Sequence, residues 1–316
     1  MEMSKERRNF VQTDIMAILL ATLMVLLAEV TGEKEIIFPE IAALTVGYWV
    51  APKRSWMVNG KRMLFLITIS AVIGLLIVLY SNVPLYAQVI LAFAISQIVF
   101  IFSGTTFAPF ISAMVLPVLI QTRTWIYPIS AFVLTLIIVL GRVFLNRISI
   151  RENEQYEPIT TRSKYDLADM LIRIIIVAVV SIIALKMGYR FVIAPPLLVA
   201  FTELSRPGNK ARNVPIKTII LVTGCAIIGA FTRYIISIKM QLPLYMAAFV
   251  IMILVLTIVH LMKMYMPPAG AVAILSLLIP QEAVAFFPLQ ILAGISIFMI
   301  ASRLIFARLQ NIQRQE

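Results

Sequence analysis

The stretch that decides the fold is MYMPPAGAVAILSLLIP, residues 264–280. Two adjacent prolines, Pro267 and Pro268, and a run of small residues open an apolar segment that is too short to span a bilayer as a straight helix. Proline lacks a backbone N–H and clashes with the preceding turn, so a bilayer tolerates it only where protein or water satisfies the freed carbonyl groups. A short segment of this kind among longer apolar ones predicts the lining of a substrate pathway.

The composition of the whole chain predicts a protein that crosses a membrane many times. Of its 316 residues, 61% are hydrophobic and 13% are charged, whereas about a quarter of the residues of soluble domains are charged. The net charge of +12 comes from short basic clusters between apolar segments, which is typical of cytoplasmic loops and not of a nucleic-acid-binding surface. One cysteine, Cys225, and one histidine exclude an internal disulfide and leave little material for a metal site. We therefore expect no metal, no cofactor and no nucleic-acid partner.

Twelve apolar segments follow one another, six on each side of a polar linker. The first six cover residues 15–30, 36–50, 63–79, 85–102, 107–120 and 125–145, and the last six cover 170–185, 191–204, 218–236, 244–262, 266–279 and 284–306. About 20 residues are needed to cross the hydrocarbon core, and the second and fifth segments of each half fall short of this length. The predicted organisation is a first membrane repeat (residues 1–150), a polar linker (151–168) and a second membrane repeat (169–316).

The two sets of segments carry the same landmarks in the same order. Pro39 in IIFPEIAALT corresponds to Pro195 in VIAPPLLVAFT, an offset of 156, and Pro109 in TFAPFISAMVLP corresponds to Pro268 in YMPPAGAVAILS, an offset of 159. A collinear series of such matches indicates an internal duplication. The predicted fold class is therefore all-α: a polytopic membrane helical bundle of two tandem six-segment repeats with short helices broken by proline.

The distribution of basic residues predicts the orientation of the chain. If all twelve segments cross, the N-terminus, the loop with Lys53 and Arg54, the linker, the loop with Lys210 and Arg212 and the C-terminus share one side. The positive-inside rule makes that side cytoplasmic, which predicts parallel repeats in the cytoplasmic membrane of the cell. The alternative is that one short segment of each half is re-entrant. Five crossings would then invert the second half and separate the two basic loops.

The short second and fifth segments carry the candidate site. Their ends are predicted to meet near the middle of the membrane, where helix N-termini suit an anion; alternatively, the prolines only kink packed helices. Glu40 and Glu203 are acids in apolar segments and are candidates for proton coupling. Alternatively, Glu203 pairs with Arg206, and Glu40 is hydrated near the outer end of its segment. The hydroxyls of SGTT, residues 103–106, either bind an oxyanion or cap the next helix. The predicted substrate-binding residues are Pro39, Glu40, Thr105, Thr106, Pro109, Pro195, Pro196, Glu203, Pro267, Pro268 and Gly270.

Five other ionisable residues lie inside apolar segments. Arg142 and Arg303 recur near the ends of the sixth segments, where snorkelling to the interface explains them. Arg173 and Arg233 are candidate anion ligands, and His260 is expected to be an interface residue. The sequence contains no nucleophile–base set, phosphate-binding glycine loop or nucleotide-binding domain, so we predict a protein that is not an enzyme.

The second half resembles the HPP family of integral membrane proteins. MPPAGA, residues 266–271, is similar to the His-Pro-Pro motif for which the family is named, with Met266 in place of the histidine. APPLLVAFTELSRPGNKARN, residues 194–213, resembles the family's small-residue helix and the polar loop after it, which has an Arg-Asn pair, here Arg212 and Asn213. The resemblance covers about residues 169–306, with a fainter echo in residues 36–144. Some members are implicated in nitrite transport, which implies a small anion as substrate. A role of the histidine cannot be carried over to Met266.

The first half resembles a second family. PEIAALTVGYWVAPKRSW, residues 39–56, is similar to the six-span unit of fusaric-acid-resistance-type aromatic acid exporters, which usually carry a large cytoplasmic domain that no stretch here is long enough to form. Both resemblances imply anion transport.

The predicted function is a secondary carrier or channel for a small anion such as nitrite or a small carboxylate. The alternatives are an aromatic acid exporter and a non-transporting membrane scaffold or accessory subunit. The expected partners are the lipid bilayer, the anion, coupled protons and further copies of the chain in a homo-oligomer.

Overall fold

A computed structural model describes residues 5–151, 155–159 and 164–307. All regular structure in these ranges is helical, and eight of the helices found there are long and apolar enough to cross a membrane. These long helices are α1 (Lys5–Thr31), α3 (Gly60–Tyr80), α4 (Leu85–Phe102), α6 (Ile126–Arg147), α7 (Lys164–Lys186), α9 (Pro215–Arg233), α10 (Leu244–Leu261) and α12 (Phe287–Ala301). The prediction of a helical membrane bundle is confirmed.

Four short helices form the centre of the bundle. They are α2 (Glu40–Thr45), which continues as a π-helical turn (Val46–Val50), α5 (Pro109–Ile120), α8 (Pro195–Leu204) and α11 (Pro267–Leu275). Every residue of α2 and α11 is buried, as is every residue of α5 except Ile120 and of α8 except Glu203. A helix that is apolar all round belongs inside a protein. These four segments are therefore the core around which the long helices pack.

The long helices surround this core and turn apolar faces outward. Only 28% to 50% of the residues in their most apolar stretches are buried. On α1, Leu19, Leu23 and Leu27 are each about half exposed and lie four residues apart, so they form one stripe on the helix surface. Apolar side chains on the outside are the expected solution when the solvent is lipid.

Proline begins the short helices and, with one exception, does not break them. Pro109, Pro195 and Pro267 stand at the first positions of α5, α8 and α11, and Pro39 immediately precedes α2. At a helix start the missing N–H has no partner to lose, and the fixed φ of proline already suits the helix. The prediction of helices broken by proline is therefore wrong for these positions and holds only for Pro117, inside α5.

The first two helices of each half pack against the other half. Helix α1 contacts α10 and α2 contacts α11, while α7 contacts α4 and α8 contacts α5. The α1–α10 contact is antiparallel, because Asp14 Oδ2 lies 2.9 Å from His260 Nε2 and Glu29 Oε2 accepts the Tyr245 N–H at 2.9 Å. The two halves, α1–α6 and α7–α12, are therefore interlocked and do not simply lie side by side.

The third helix of each half crosses its short fifth helix at a glycine. A Cβ added to Gly74 of α3 would overlap the backbone carbonyl oxygen of Met114 in α5. A Cβ added to Gly229 of α9 would overlap the carbonyl oxygen of Ala273 in α11. Small residues allow helix backbones to approach this closely in membranes.

Arg142 does not reach out to the interface as expected. It is only 6% exposed, and its Nη1 donates to the carbonyl oxygen of Tyr48 at 2.6 Å. Arg151 donates to the carbonyl oxygens of Trp49 and Val50 at 2.7 and 2.6 Å. The end of the π-helical turn after α2 thus receives two guanidinium groups, which suits the partial negative charge of a helix C-terminus. The expectation of snorkelling was wrong because these unpaired carbonyls lie nearby in space.

The two basic loops lie at the same end of the bundle, since residues of the loop after α2 and of the loop after α8 line one cavity. We call this end the basic end. The described part of the predicted linker packs here too: the Ile159 N–H and the Tyr156 hydroxyl both donate to the Gly104 carbonyl, at 3.0 and 2.9 Å. Residues 152–154, 160–163 and 308–316, which belong to the predicted linker and C-terminus, lie outside the described residues.

Candidate functional site

A cavity of about 650 Å³ opens at the basic end, between the two halves of the chain. It lies where the loop after α2, the end of α8 with its following loop, and the start of α11 meet. Its volume falls within the range of small-molecule binding sites. Four lysines line it, Lys53, Lys210, Lys217 and Lys263, together with an apolar wall that includes Leu204, Val214, Met264, Met266 and Pro267.

The charge of this cavity is positive and uncompensated. None of its four lysines forms an ion pair with a carboxylate of the described residues. The lining has one acid, Glu203, whose Oε1 accepts the indole N–H of Trp56 at 2.7 Å, and the four lysines outnumber it. Clustered cations over low-dielectric walls concentrate the electric field and attract anions. The cavity is therefore suited to an anion that also has an apolar part.

A second, smaller pocket of about 220 Å³ lies beside it, between the end of α4 and the start of α7. Its lining has charges of both signs: Arg173 and Arg206 face Asp166 and Asp169. Burial lowers the pKa of the Arg206 guanidinium, while the neighbouring carboxylates of Glu203 and Asp166 act to raise it. Because its cations and acids compensate one another, this pocket is a weaker anion site than the lysine-lined cavity.

Arg173, a candidate anion ligand, is held by protein groups. Its Nη1 donates to Gln97 Oε1 at 3.2 Å, and its Nε donates to the Asp169 carbonyl at 3.1 Å. Gln97 in turn donates from Nε2 to the Thr202 hydroxyl at 3.0 Å. This chain of buried groups links α7, α4 and α8, so the first role of Arg173 is to join helices of the two halves.

The threonines before α5 bind their own loop. Thr105 lines the smaller pocket, and its hydroxyl oxygen accepts the Phe107 N–H at 3.2 Å. The Thr106 hydroxyl oxygen accepts the Met57 N–H at 2.8 Å, which ties this loop to the loop after α2. Two interpretations were open from the sequence, oxyanion binding or capping of the next helix. Neither threonine caps α5, whose N-cap residue, Ala108, has no side-chain cap, and both hydroxyl groups close loops instead.

Glu40 lies apart from both cavities, in the core. It is 1% exposed and is the first residue of α2, directly after Pro39. The Ser112 hydroxyl of α5 donates to its Oε1, and its Oε2 is buried without a hydrogen-bond partner among the described residues.

Gly270 has a packing role: a Cβ there would lie 3.3 Å from the Ala42 carbonyl oxygen.

The structure thus brings together only part of the predicted site. Glu203 and Pro267 share the lysine-lined cavity, and Thr105 lies in the pocket next to it. Thr106 ties two loops together and Glu40 lies in the core. The six remaining residues build helix starts or helix contacts: Pro39, Pro109, Pro195, Pro196, Pro268 and Gly270. The lysines and Tyr265 were missed as cavity residues. The signal was present in the basic loops, which the sequence argument used only for orientation.

Two remaining candidates have structural roles. Arg233 donates to the carbonyl oxygens of Ser276 and, at 2.7 Å, of Ile279, so it caps the end of α11. His260 joins α10 to α1 through Asp14, and its Nδ1 lies 3.1 Å from the Tyr265 hydroxyl. The expectation that His260 lies at the membrane interface stays a prediction.

Comparison with protein-family models, with curated proteins and with solved structures gives no match. Within the described residues, no three His, Cys, Asp or Glu side chains gather into a group that could hold a metal ion. The functional argument therefore rests on the geometry of the bundle and its cavities.

Proposed function

We propose that this chain is an integral membrane transporter for a small anion. The observation that carries the proposal is the cavity at the basic end, where four lysines without carboxylate partners among the described residues surround an apolar wall. Anion attraction by such a cluster has a direct physical basis. The positive-inside rule explains basic loops in any membrane protein, a scaffold included, so the proposal rests on their meeting around one cavity of this size.

The size of the cavity favours an organic anion. At about 650 Å³ it is many times larger than nitrite or formate, and its walls combine lysines with methionine, leucine and proline side chains. A carboxylate attached to an aromatic or other apolar body would use both kinds of surface. We therefore rank small aromatic carboxylates first and nitrite second. This order agrees with the sequence resemblance to aromatic acid exporters, and the resemblance to the HPP family keeps nitrite as the alternative.

Two tandem, parallel repeats are part of the proposal. They are supported by the glycine crossings of Gly74 and Gly229 and by the exchange of the first two helices between halves. Gly32 and Gly188, which precede α2 and α8, both have positive φ, at 75° and 82°. The two basic loops meet at one end, an arrangement expected of parallel repeats. The protein is placed in the cytoplasmic membrane of the cell. Under the positive-inside rule the basic end is cytoplasmic, so the cavity faces the cytoplasm.

The packing below the cavity favours a carrier over a channel. Pro267 forms part of the cavity lining and packs against Gly47, and Gly270 one turn further packs against Ala42. The contact between α2 and α11 therefore closes the cavity toward the core. Transport through this region requires the two short helices to separate, as in carriers that gate one bundle element against another.

Flux into proteoliposomes tests the proposal. We expect the wild-type protein to accelerate the movement of benzoate and benzenesulfonate, and more weakly of nitrite and formate, above protein-free liposomes. Benzenesulfonate is included because it stays charged and does not cross the bilayer as a neutral acid. Substituting three cavity lysines together, K53Q/K210Q/K217Q, should raise the half-saturating concentration on the order of tenfold, because exposed charges contribute about 0.5 kcal/mol each.

The matched control is Lys61→Gln, a basic residue at the start of α3 that does not line the cavity. It should leave the half-saturating concentration unchanged. A wild-type protein that is monodisperse and moves none of the four anions would refute transport of this substrate class. Equal affinities for the triple variant and the wild type would remove the cavity from the proposal.

A further inference from the structure

Glu40 is an acid placed where a charge is difficult to keep. Among the residues of the four short helices the only other acid is Glu203, which is partly exposed. Glu40 is fully enclosed, receives one hydrogen bond from Ser112, and has a second oxygen without a partner among the described residues. An ionised carboxylate in such a place is strongly disfavoured unless a cation or several donors compensate it.

The elements packed against α2 supply no compensating cation. Helices α5 and α11 have no ionisable side chain, and the π-helical turn after α2 contributes only Tyr48. From α6 come Tyr127, whose hydroxyl donates to the Ala113 carbonyl at 3.1 Å, Arg147 in the last turn, and Arg142, which is held at the Tyr48 carbonyl. The described ionisable side chains of α1 are those of Asp14 and Glu29, which bind His260 and the start of α10. None of the described basic groups lies within ion-pair distance of Glu40.

The position of Glu40 relates it to the closed end of the cavity. Along α2, Gly47 packs against Pro267 of the cavity lining, and Ala42 packs against Gly270. Glu40 lies beyond both contacts, about 10 Å along the helix from Gly47 at 1.5 Å per residue. The α2–α11 contact therefore separates Glu40 from the water of the cavity, and any movement that opens this contact hydrates the carboxyl group.

We propose that Glu40 is the proton-carrying group of this transporter. The inference rests on the proposed function and deepens it by naming the coupled ion and its site. While the core is closed, the proton is held as an O–H bond on Glu40, and the Ser112 hydroxyl continues to donate to the other oxygen. When α2 and α11 separate, water reaches the carboxyl group, the O–H bond breaks and the proton leaves to water. One proton is bound and released per cycle, and no other reactant is needed.

A comparison of two fluxes of benzenesulfonate tests this assignment. The first is net uptake into proteoliposomes under an imposed pH gradient, and the second is exchange of labelled for unlabelled benzenesulfonate at equal pH on both sides. The readout is the ratio of the two rates, so differences in the amount of folded protein cancel. In the wild type we expect this ratio to be at least fivefold higher with the pH gradient than when net uptake is measured without it. In Glu40→Gln the ratio should be the same with and without the gradient.

The matched controls are Glu40→Asp, which keeps a titratable carboxyl group, and Glu33→Gln, which removes an exposed acid before α2. Both should retain the response to the gradient. A Glu40→Gln protein that still responds would overturn the inference, as would a wild-type flux that ignores the gradient. In both cases anion transport itself would stand, whereas the absence of flux for every anion would remove the proposed function.

A spectroscopic measurement decides the question if Glu40→Gln does not fold. The infrared difference spectrum of the wild-type protein between acidic and alkaline pH should contain a protonated-carboxyl band. Ser112→Ala removes the donor to Glu40 and should shift the frequency of that band. A spectrum in which Ser112→Ala shifts no carboxyl band would show that Glu40 does not exchange its proton, and would overturn the assignment independently of any flux.

Discussion

The contact between α1 and α10 and the contact between α7 and α4 join the two halves in the same manner but with different polar groups. In the α7–α4 contact, Arg173 is 5% exposed and its partner Gln97 is completely buried, at a distance of 3.2 Å. In the α1–α10 contact, the His260 and Asp14 side chains are 29% and 21% exposed, at 2.9 Å. The shorter contact is the one that water reaches. Burial, and not distance, should therefore decide which contact stabilises the fold more.

The two halves differ in these polar contacts but not in the apolar packing of their third and fifth helices. Gly74 and Gly229 place the third helix of each half directly on a carbonyl oxygen of its short fifth helix. Close packing is the main source of helix association in lipid, where there is no hydrophobic force between helices. The glycine crossings should accordingly contribute equally in both halves, while the two polar contacts contribute unequally.

The largest effect is expected at the glycine crossings. Gly229→Ala forces a methyl group onto the Ala273 carbonyl, so α9 and α11 must move apart, and we expect a loss of about 3 kcal/mol in unfolding free energy. Gly74→Ala should cost the same within about 1 kcal/mol. Unfolding in mixed micelles measures both.

The control for this pair is Gly224→Ala, on the same helix as Gly229. There an added Cβ meets only the flexible end of Ile258, at 3.3 Å, and the cost should be small. Unequal losses for Gly74→Ala and Gly229→Ala would break the claim that the two halves are packed alike.

The next effect is expected at the buried polar contact. In a double-mutant cycle of Gln97→Leu and Arg173→Met, we expect a coupling energy of about 2 kcal/mol, because the cycle removes a hydrogen bond between a charged group and a completely buried amide. Ile98→Ala, at an outward position of α4, is the control and should change stability by less than about 0.5 kcal/mol. A coupling energy near zero would mean that the other acceptors of Arg173 stabilise it equally well without Gln97.

Much of the architecture follows from segment length and apolarity. Residues 266–279 are too short to cross a membrane and contain no charge, and the structure makes α11 from them and buries it completely. The sequence predicts one span over residues 85–102, and α4 has the same bounds. Such features depend on local sequence, because an uninterrupted apolar run must become a helix in lipid.

The site depends on contacts that local sequence does not contain. Nothing in the loop of Lys53 indicates that it meets Lys210 and Lys263, since that meeting results from the exchange of helices between the halves. Arg142 was misjudged for the same reason: its partner, the Tyr48 carbonyl, is 94 residues away in the chain. The acids were easier to find because an ionisable group in an apolar segment is conspicuous wherever it lies.

The smallest effect is expected at the exposed polar contact. We expect a coupling energy of about 0.5 kcal/mol in a cycle of Asp14→Asn and His260→Phe, because water screens both groups. Phenylalanine keeps a ring to pack against Phe10 and Tyr265, so the cycle isolates the polar term. Both variants are measured by unfolding at one neutral pH. A coupling energy above 2 kcal/mol would reverse the order of the two contacts. It would mean that lipid or another copy of the chain shields the α1–α10 contact from water, and that exposure in the isolated chain does not measure its true environment.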